Sequence, residues 1–248
     1  MKKQGLALSL MMALLVLLSV TAMAATGRYD QQIQQTVSAK LHSAKQLQGV
    51  NSSVEDGIVT LTGTVDLYQD KLDAAKKIKK VSDVTGVRND ITVQGQTVPD
   101  AQLQKKLSKQ LAYDRVGYGD NTFNYIATGV KDGVVTLTGD AVWNVPMDSA
   151  IAIVARTPGV KDVVNNVTVL PVSNFDDSIR IRTARAIYRD SELGRYASDP
   201  VHPIRIVVDN GHVTLYGNVE STMDKTLAGI RANSVPGSFS VDNKLVVD

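Results

Sequence analysis

A pair of glycines six residues apart occurs three times along the chain, and each pair frames a run rich in β-branched and apolar residues. Asp56-Gly57 opens Ile58-Val59-Thr60-Leu61-Thr62-Gly63, Asp132-Gly133 opens Val134-Val135-Thr136-Leu137-Thr138-Gly139, and Asn210-Gly211 opens His212-Val213-Thr214-Leu215-Tyr216-Gly217. The opening glycines lie 76 and 78 residues apart. Self-similarity at a fixed period means that the chain is assembled from copies of one unit. Asp-Gly and Asn-Gly favour the positive φ values of a two-residue hairpin turn. The alternating β-branched residues that follow read as strands, preceded by short strands over Val50 to Glu55, Tyr125 to Lys131 and Ile204 to Asp209. The closing glycines, Gly63, Gly139 and Gly217, are expected at strand ends, where a bulge or a close backbone approach calls for them.

Helical periodicity flanks each hairpin. Before it, Ile33, Val37 and Leu41, then Leu103, Leu107 and Leu111, then Ile179, Thr183 and Ile187 recur four apart, the third set with a polar centre. After it, Tyr68, Leu72 and Ala75, then Met147, Ile151 and Val154, then Met223, Leu227 and Ile230 mark one face of a second helix. A last strand follows Asn89-Asp90, Asn165-Asn166 and Asp242-Asn243. The fold class is therefore α+β, with three tandem α-β-β-α-β modules, each a three-stranded sheet covered on one face by two helices. Boundaries fall at Gly95 to Pro99 and Pro171 to Asn174, giving modules over 25–96, 97–172 and 173–248. A unit of about 70 residues is marginal alone, so the modules are expected to lean on one another.

The first 24 residues read as a targeting segment. Lys2 and Lys3 precede an apolar run from Leu6 to Val20, and Ala22-Met23-Ala24 fits a small-x-small cleavage site, so 1–24 is expected to be a cleaved signal peptide and the product periplasmic. The alternative is an uncleaved anchor, for which the run is short. With Lys2 and Lys3 gone, 25 basic groups face 25 acidic ones, and a neutral protein is not steered as a whole to nucleic acid or anionic lipid. Cysteine is absent, which excludes disulfides, thiolate metal sites and a lipid-modified cysteine.

Asp-Gly-x-Val-Thr-Leu-x-Gly, a helix, and then Pro-Gly-Val-x-x-Val-x-Asn before a last strand resembles the BON domain. Thr157-Pro158-Gly159-Val160-Lys161-Asp162-Val163-Val164-Asn165 carries the second part closely. The first copy departs from it with Ser82-Asp83-Val84, and the third places Ser238 after Gly237. Gly57, Gly63, Gly133, Gly139, Gly159, Gly211, Gly217 and Gly237 are the turn glycines of this pattern. The resemblance implies a bacterial envelope protein that associates peripherally with phospholipid and supports envelope integrity under stress. The alternative is a soluble periplasmic interaction or chaperone-like protein.

No catalytic, cofactor-binding or metal-ligating constellation is legible, and the chain is read as a non-enzyme needing no cofactor. His42, His202 and His212 are isolated from one another, no nucleophile elbow occurs, and no glycine-rich phosphate loop ends in lysine. The α-β-β-α-β order resembles KH modules, but no two of the 18 glycines are three apart, so the clamp such modules close on nucleic acid is missing. Asp176-Asp177 reads as the N-cap of the third module's first helix. Two features are candidate contacts for lipid or a periplasmic protein. Lys76, Lys77, Lys79 and Lys80, and Arg182, Arg185 and Arg189, form basic clusters. These are either solvated helix surface or attract anionic head groups by roughly 1 kcal/mol per residue. The connectors over 112–124 and 190–203 carry Tyr113, Tyr118 and Phe123, and Tyr196. Those rings either suit a lipid–water boundary or pack back onto the sheet or the neighbouring module.

Overall fold

The computed structural model describes residues 29–115, 121–197, 199 and 203–248. The expected signal peptide, Tyr118 and His202 lie outside the described residues. The chain divides into two compact units, Met1–Gln96 and Thr97–Asp248. The first holds one copy of the repeat and the second holds two.

In the first unit, helix α1 covers residues 29–42, with Ile33, Val37 and Leu41 buried on one face. A 3-10 turn, Lys45–Leu47, buries Leu47 and leads into β1 (Val50–Glu55) and β2 (Ile58–Val65), which pair antiparallel. Helix α2 (Tyr68–Ile78) crosses to β3 (Gly86–Asn89) and β4 (Thr92–Val93), both parallel to β2. The core is aliphatic: Val37, Leu41, Val59, Leu61, Ala74, Ile78 and Ile91 are at most 1% exposed.

The same order occurs twice in the second unit. Helix α3 (Asp100–Ala112), strands β5 (Tyr125–Lys131) and β6 (Val134–Ala141), helix α4 (Asn144–Ala155) and strand β7 (Asp162–Val169) form a sheet in the order β5-β6-β7. Helix α5 (Asn174–Tyr188), strands β8 (Arg205–Asp209) and β9 (His212–Tyr216), the short β10 (Asn218–Val219), helix α6 (Thr222–Asn233), β11 (Ser240–Asn243) and β12 (Val246–Val247) form the last copy. There β11 runs parallel to β9, and β12 parallel to β10.

Both turn residues of each hairpin have positive φ: Asp56 and Gly57, Asp132 and Gly133, Asn210 and Gly211. The turn amides have no ladder partner, and each copy supplies one from the start of its own first helix. Asp30 accepts from Asp56 N–H and Gly57 N–H, both at 2.9 Å. Asp100 accepts from Asp132 and Gly133 at 2.7 and 2.9 Å, and Asp176 from Asn210 and Gly211 at 3.2 and 2.7 Å. Charge-assisted bonds of this kind are the stronger class, and here they pin helix to hairpin. Four residues on, Gln34 and Gln104 donate to Ser52 and Thr128 on the first strand.

Three expectations are corrected. Two of the closing glycines do not end their strands, since β2 runs on to Val65 and β6 to Ala141, whereas Gly217 does end β9 as expected. At Gly139 (φ +118) a Cβ would lie 2.0 Å from the Tyr125 carbonyl oxygen, so it is the close approach that demands glycine. The second helices turn partly different faces inward: Val154 is buried as expected, but the other buried positions are not those of the expected sets. Ala74 and Ile78, Ala150 and Val154, and Ala228 and Ala232 are buried, whereas Met223 is 77% and Ile230 57% exposed. Small residues let each helix sit close on its sheet, which ranking by hydrophobicity misses. Finally, the N-cap of α5 is Ser173, whose hydroxyl accepts from Asp176 N–H. Asp176 and Asp177 lie inside the first turn, and the Asp176 carboxylate is committed to the hairpin.

Candidate functional site

Helix α5 presents Phe175, Ser178, Arg182, Arg185 and Arg189 at alternating three- and four-residue steps, which is one stripe of its surface. The stripe faces away from Ile179, Thr183 and Ile187, which are fully buried. Phe175 is 47% exposed in the first turn. Beside it stands Phe239, 69% exposed, with ring centroids 5.8 Å apart. His212 meets the Phe239 edge at 5.9 Å, and its Nδ1 lies 2.7 Å from Ser240 Oγ. A Cβ at Gly211 would fall 2.7 Å from the Phe239 ring, so the two phenyl groups sit directly on the hairpin turn. A Cβ at Gly237 would lie 3.5 Å from Arg182 Nη2, which brings the first arginine against the aromatic pair. Arg182 also donates Nε–H to the Ser178 carbonyl at 3.0 Å. Among the described residues Arg182, Arg185 and Arg189 have no carboxylate partner. Two exposed rings next to Arg182, with Arg185 and Arg189 farther along the same stripe, make an amphipathic surface.

The pair belongs to the third copy alone. Phe239 occupies the place of Thr85 and Lys161, and Phe175 that of Tyr29 and Pro99. Comparing the three aligned copies could have flagged Phe239, because an apolar ring there replaces the polar Thr85 and Lys161 beside the turn, whereas Phe175 stands where the others have Tyr29 and Pro99 and carries no such signal.

The lysine cluster closes α2. Lys76 and Lys77 occupy its last turn, where cations complement the helix dipole, and Lys79 and Lys80 follow. Lys76, Lys79 and Lys80 are exposed, while Lys77 is half-buried and donates to Ser43 Oγ at 3.2 Å. Lys80 and Lys40 line a shallow hollow with Tyr29 and Ile33.

Two connector rings pack inward, the second of the two alternatives left open for them. Tyr196, 2% exposed, donates to Asp224 Oδ2 at 3.0 Å, accepts from Glu220 N–H at 2.8 Å and lies under the Arg195 guanidinium. Arg195 also pairs with Asp224 at 2.8 Å, so this network ties the connector to the start of α6. Phe123, in the 3-10 turn Asn121–Phe123, packs on the core of the third copy. Tyr113 is 51% exposed.

Among the described residues no group of three or more His, Cys, Asp or Glu could hold a metal ion, and no helix is long and apolar enough to cross a membrane.

The three copies correspond to three matches to the BON domain, over residues 29–95, 99–171 and 190–248. The chain belongs to the BON domain family. The family is a non-catalytic one, and the tandem BON architecture accounts for most of this chain. This BON protein is 34% identical over 117 residues to an uncharacterized protein in the gshII 5′ region of Anaplasma centrale, a span that covers 46% of this chain and 77% of that protein. It also superimposes on CdsD, a structural protein of the type III secretion system of Chlamydia trachomatis, with 13% identity, 86% of this chain and 90% of that one, at a TM-score of 0.25. The periplasmic domain of PrgH, a type III secretion inner membrane protein of S. typhimurium, matches at 10% identity, 83% and 96% coverage and a TM-score of 0.22. Likenesses this loose say nothing further about this chain.

Proposed function

We propose that this BON protein is a non-catalytic periplasmic envelope protein that associates peripherally and reversibly with anionic phospholipid. The α5 stripe of its third copy is the main contact. The observation that carries this reading is the exposed Phe175–Phe239 pair standing beside Arg182, at the head of the stripe that continues to Arg185 and Arg189. Aromatic rings favour the head-group boundary, and basic side chains there gain from the surface potential. Lys76, Lys79 and Lys80 on the first copy supply a second basic patch. The long-range part of such binding is screened by salt.

Co-sedimentation with vesicles of phosphatidylglycerol and of phosphatidylcholine tests the reading. Binding is expected to anionic vesicles at low salt and to fall as salt rises. Replacing both Arg182 and Arg185 by Gln should lower partition about thirtyfold, from roughly 1 kcal/mol per cation. Replacing Phe175 and Phe239 by Ser should weaken binding at every salt concentration. Equal binding to both vesicle types, or to neither, would sink the proposal. The exposed Met223 and Ile230 on α6 and Trp143 and Val145 at the start of α4 favour a second reading, a binder of unfolded periplasmic proteins. Failure to suppress aggregation of a test protein at several-fold excess would remove it.

A further inference from the structure

The second unit contains a cavity of about 350 Å³ where the two sheets come edge to edge. Strand β5 is the outer strand of one sheet and β8 of the other, and the two touch. Polar side chains on the wall include Ser108, Asp114, Arg115, Asn121 and Arg205, and apolar ones come from Leu111, Ala112, Ile126, Pro146, Ala150 and Pro203. The size and the mixed lining are those of a small-molecule site.

Arg205 is the group that needs explaining. It is half-buried at the start of β8, and its Nη1 donates to the main-chain and side-chain oxygens of Asn121. Among the described residues it has no carboxylate partner, and its Nε and Nη2 make no hydrogen bond. Burial pulls its guanidinium below the usual range. Tyr188, whose phenol bears on it electrostatically, offers no countercharge: burial pushes that phenol up to about 12, and it donates to the Ile204 carbonyl. The one carboxylate among the described wall residues, Asp114, is held by the Ser149 hydroxyl at 2.8 Å. A guanidinium withdrawn from water without an anion is costly, and residues with no function at such a place are normally apolar or paired.

We propose that this cavity binds a phosphate group, with Arg205 as its principal ligand and the apolar wall receiving whatever small body the phosphate carries. The free Nε and Nη2 form one edge of the planar fork that matches two oxygens of an oxyanion. The Ser108 hydroxyl already accepts from Gln104 and has its own proton to give. This site is separate from the α5 stripe, so either can fail without the other. Free phosphate and a phospholipid head group present the same chemistry here.

Titration calorimetry on the full chain separates the two sources, using inorganic phosphate in one arm and monomeric dihexanoyl phosphatidylglycerol in the other. Stronger binding of the lipid identifies a head-group site. Binding of phosphate with no gain from the lipid identifies a free-phosphate site. Arg205→Gln should weaken binding at least about tenfold, the loss of one charge-assisted contact, and Arg205→Lys should restore part of it. Ala112→Leu fills the cavity without touching the arginine and should also weaken the lipid, which keeps the test valid should Arg205→Gln misfold. No heat with either probe, or equal affinity in wild type and in a folded Arg205→Gln, overturns the proposal.

Discussion

Thr183 sits at the centre of the buried face of α5, and its hydroxyl has no hydrogen-bond partner. A buried hydroxyl without a partner costs about 1–3 kcal/mol, and removing it without changing shape recovers much of that. Thr183→Val is therefore expected to stabilise the protein by about 1 kcal/mol, read as a rise in Tm by differential scanning fluorimetry. Unlike Thr183, Asp190 is well partnered. The Glu192 amide, the Arg231 guanidinium and the Leu193 amide all favour its ionised form and hold its carboxyl below the ordinary range. A depressed carboxyl pKa stabilises the fold above the unfolded value of about 3.9 and ceases to do so as pH falls through the folded value. Asp190→Asn should therefore lower Tm at pH 6, and the gap from wild type should close below about pH 4. Melting curves from pH 6 to pH 2.5 check this, and a gap that persists undiminished in acid would refute the ion pair as its source.

Each hairpin leans on a carboxylate that lies 26 to 35 residues earlier in the chain. Replacing Asp100 by Ala would strip two turn amides of their acceptor at once, and water can reach only the more exposed of them. A loss of about 2 kcal/mol is expected by chemical denaturation, with the hydrogen-bonded register of β5 and β6 unchanged in the amide exchange pattern. The hairpins themselves were legible in sequence because Asp-Gly and Asn-Gly turn chemistry is local: turn type, strand polarity and the glycine positions follow from adjacent residues. Asp30, Asp100 and Asp176 were not, since the contacts they make are set by how a helix start meets a hairpin far along the chain. The inward face of the second helices was hidden for a related reason. Periodicity there admits two faces, and the close packing of Ala74, Ala150 and Ala228 on the sheet decided against the larger Met223 and Ile230. At the candidate site the arginine stripe could be counted off α5, but the Phe175–Phe239 pairing depends on where the loop after α6 lands.

Residues 97–248 behave as one compact unit because their two sheets are joined by particular side chains. Tyr125 on β5 stacks on Tyr216 of β9 with centroids 4.0 Å apart and planes 4° from parallel. Lys244 stands 5.4 Å from the centre of the Tyr216 ring. Phe123 leaves its own copy to pack on the core of the next, against the cluster that includes Ile204 and Ile206. Offset stacking contributes about 0.5–1.5 kcal/mol, and truncating a well-packed Phe costs more, so Phe123 is the stronger link. Phe123→Ala should cost about 2 kcal/mol, less than a fully buried ring because Phe123 is only half-buried. The informative readout is where that loss appears. If the two copies unfold as one cooperative body, hydrogen exchange on the full chain will quicken to a similar degree in β6 and in β9, although the substituted ring touches the core of only one. Faster exchange confined to β8 and β9 would mean that the copies unfold separately, and that the joined sheet edges hold their positions without sharing stability.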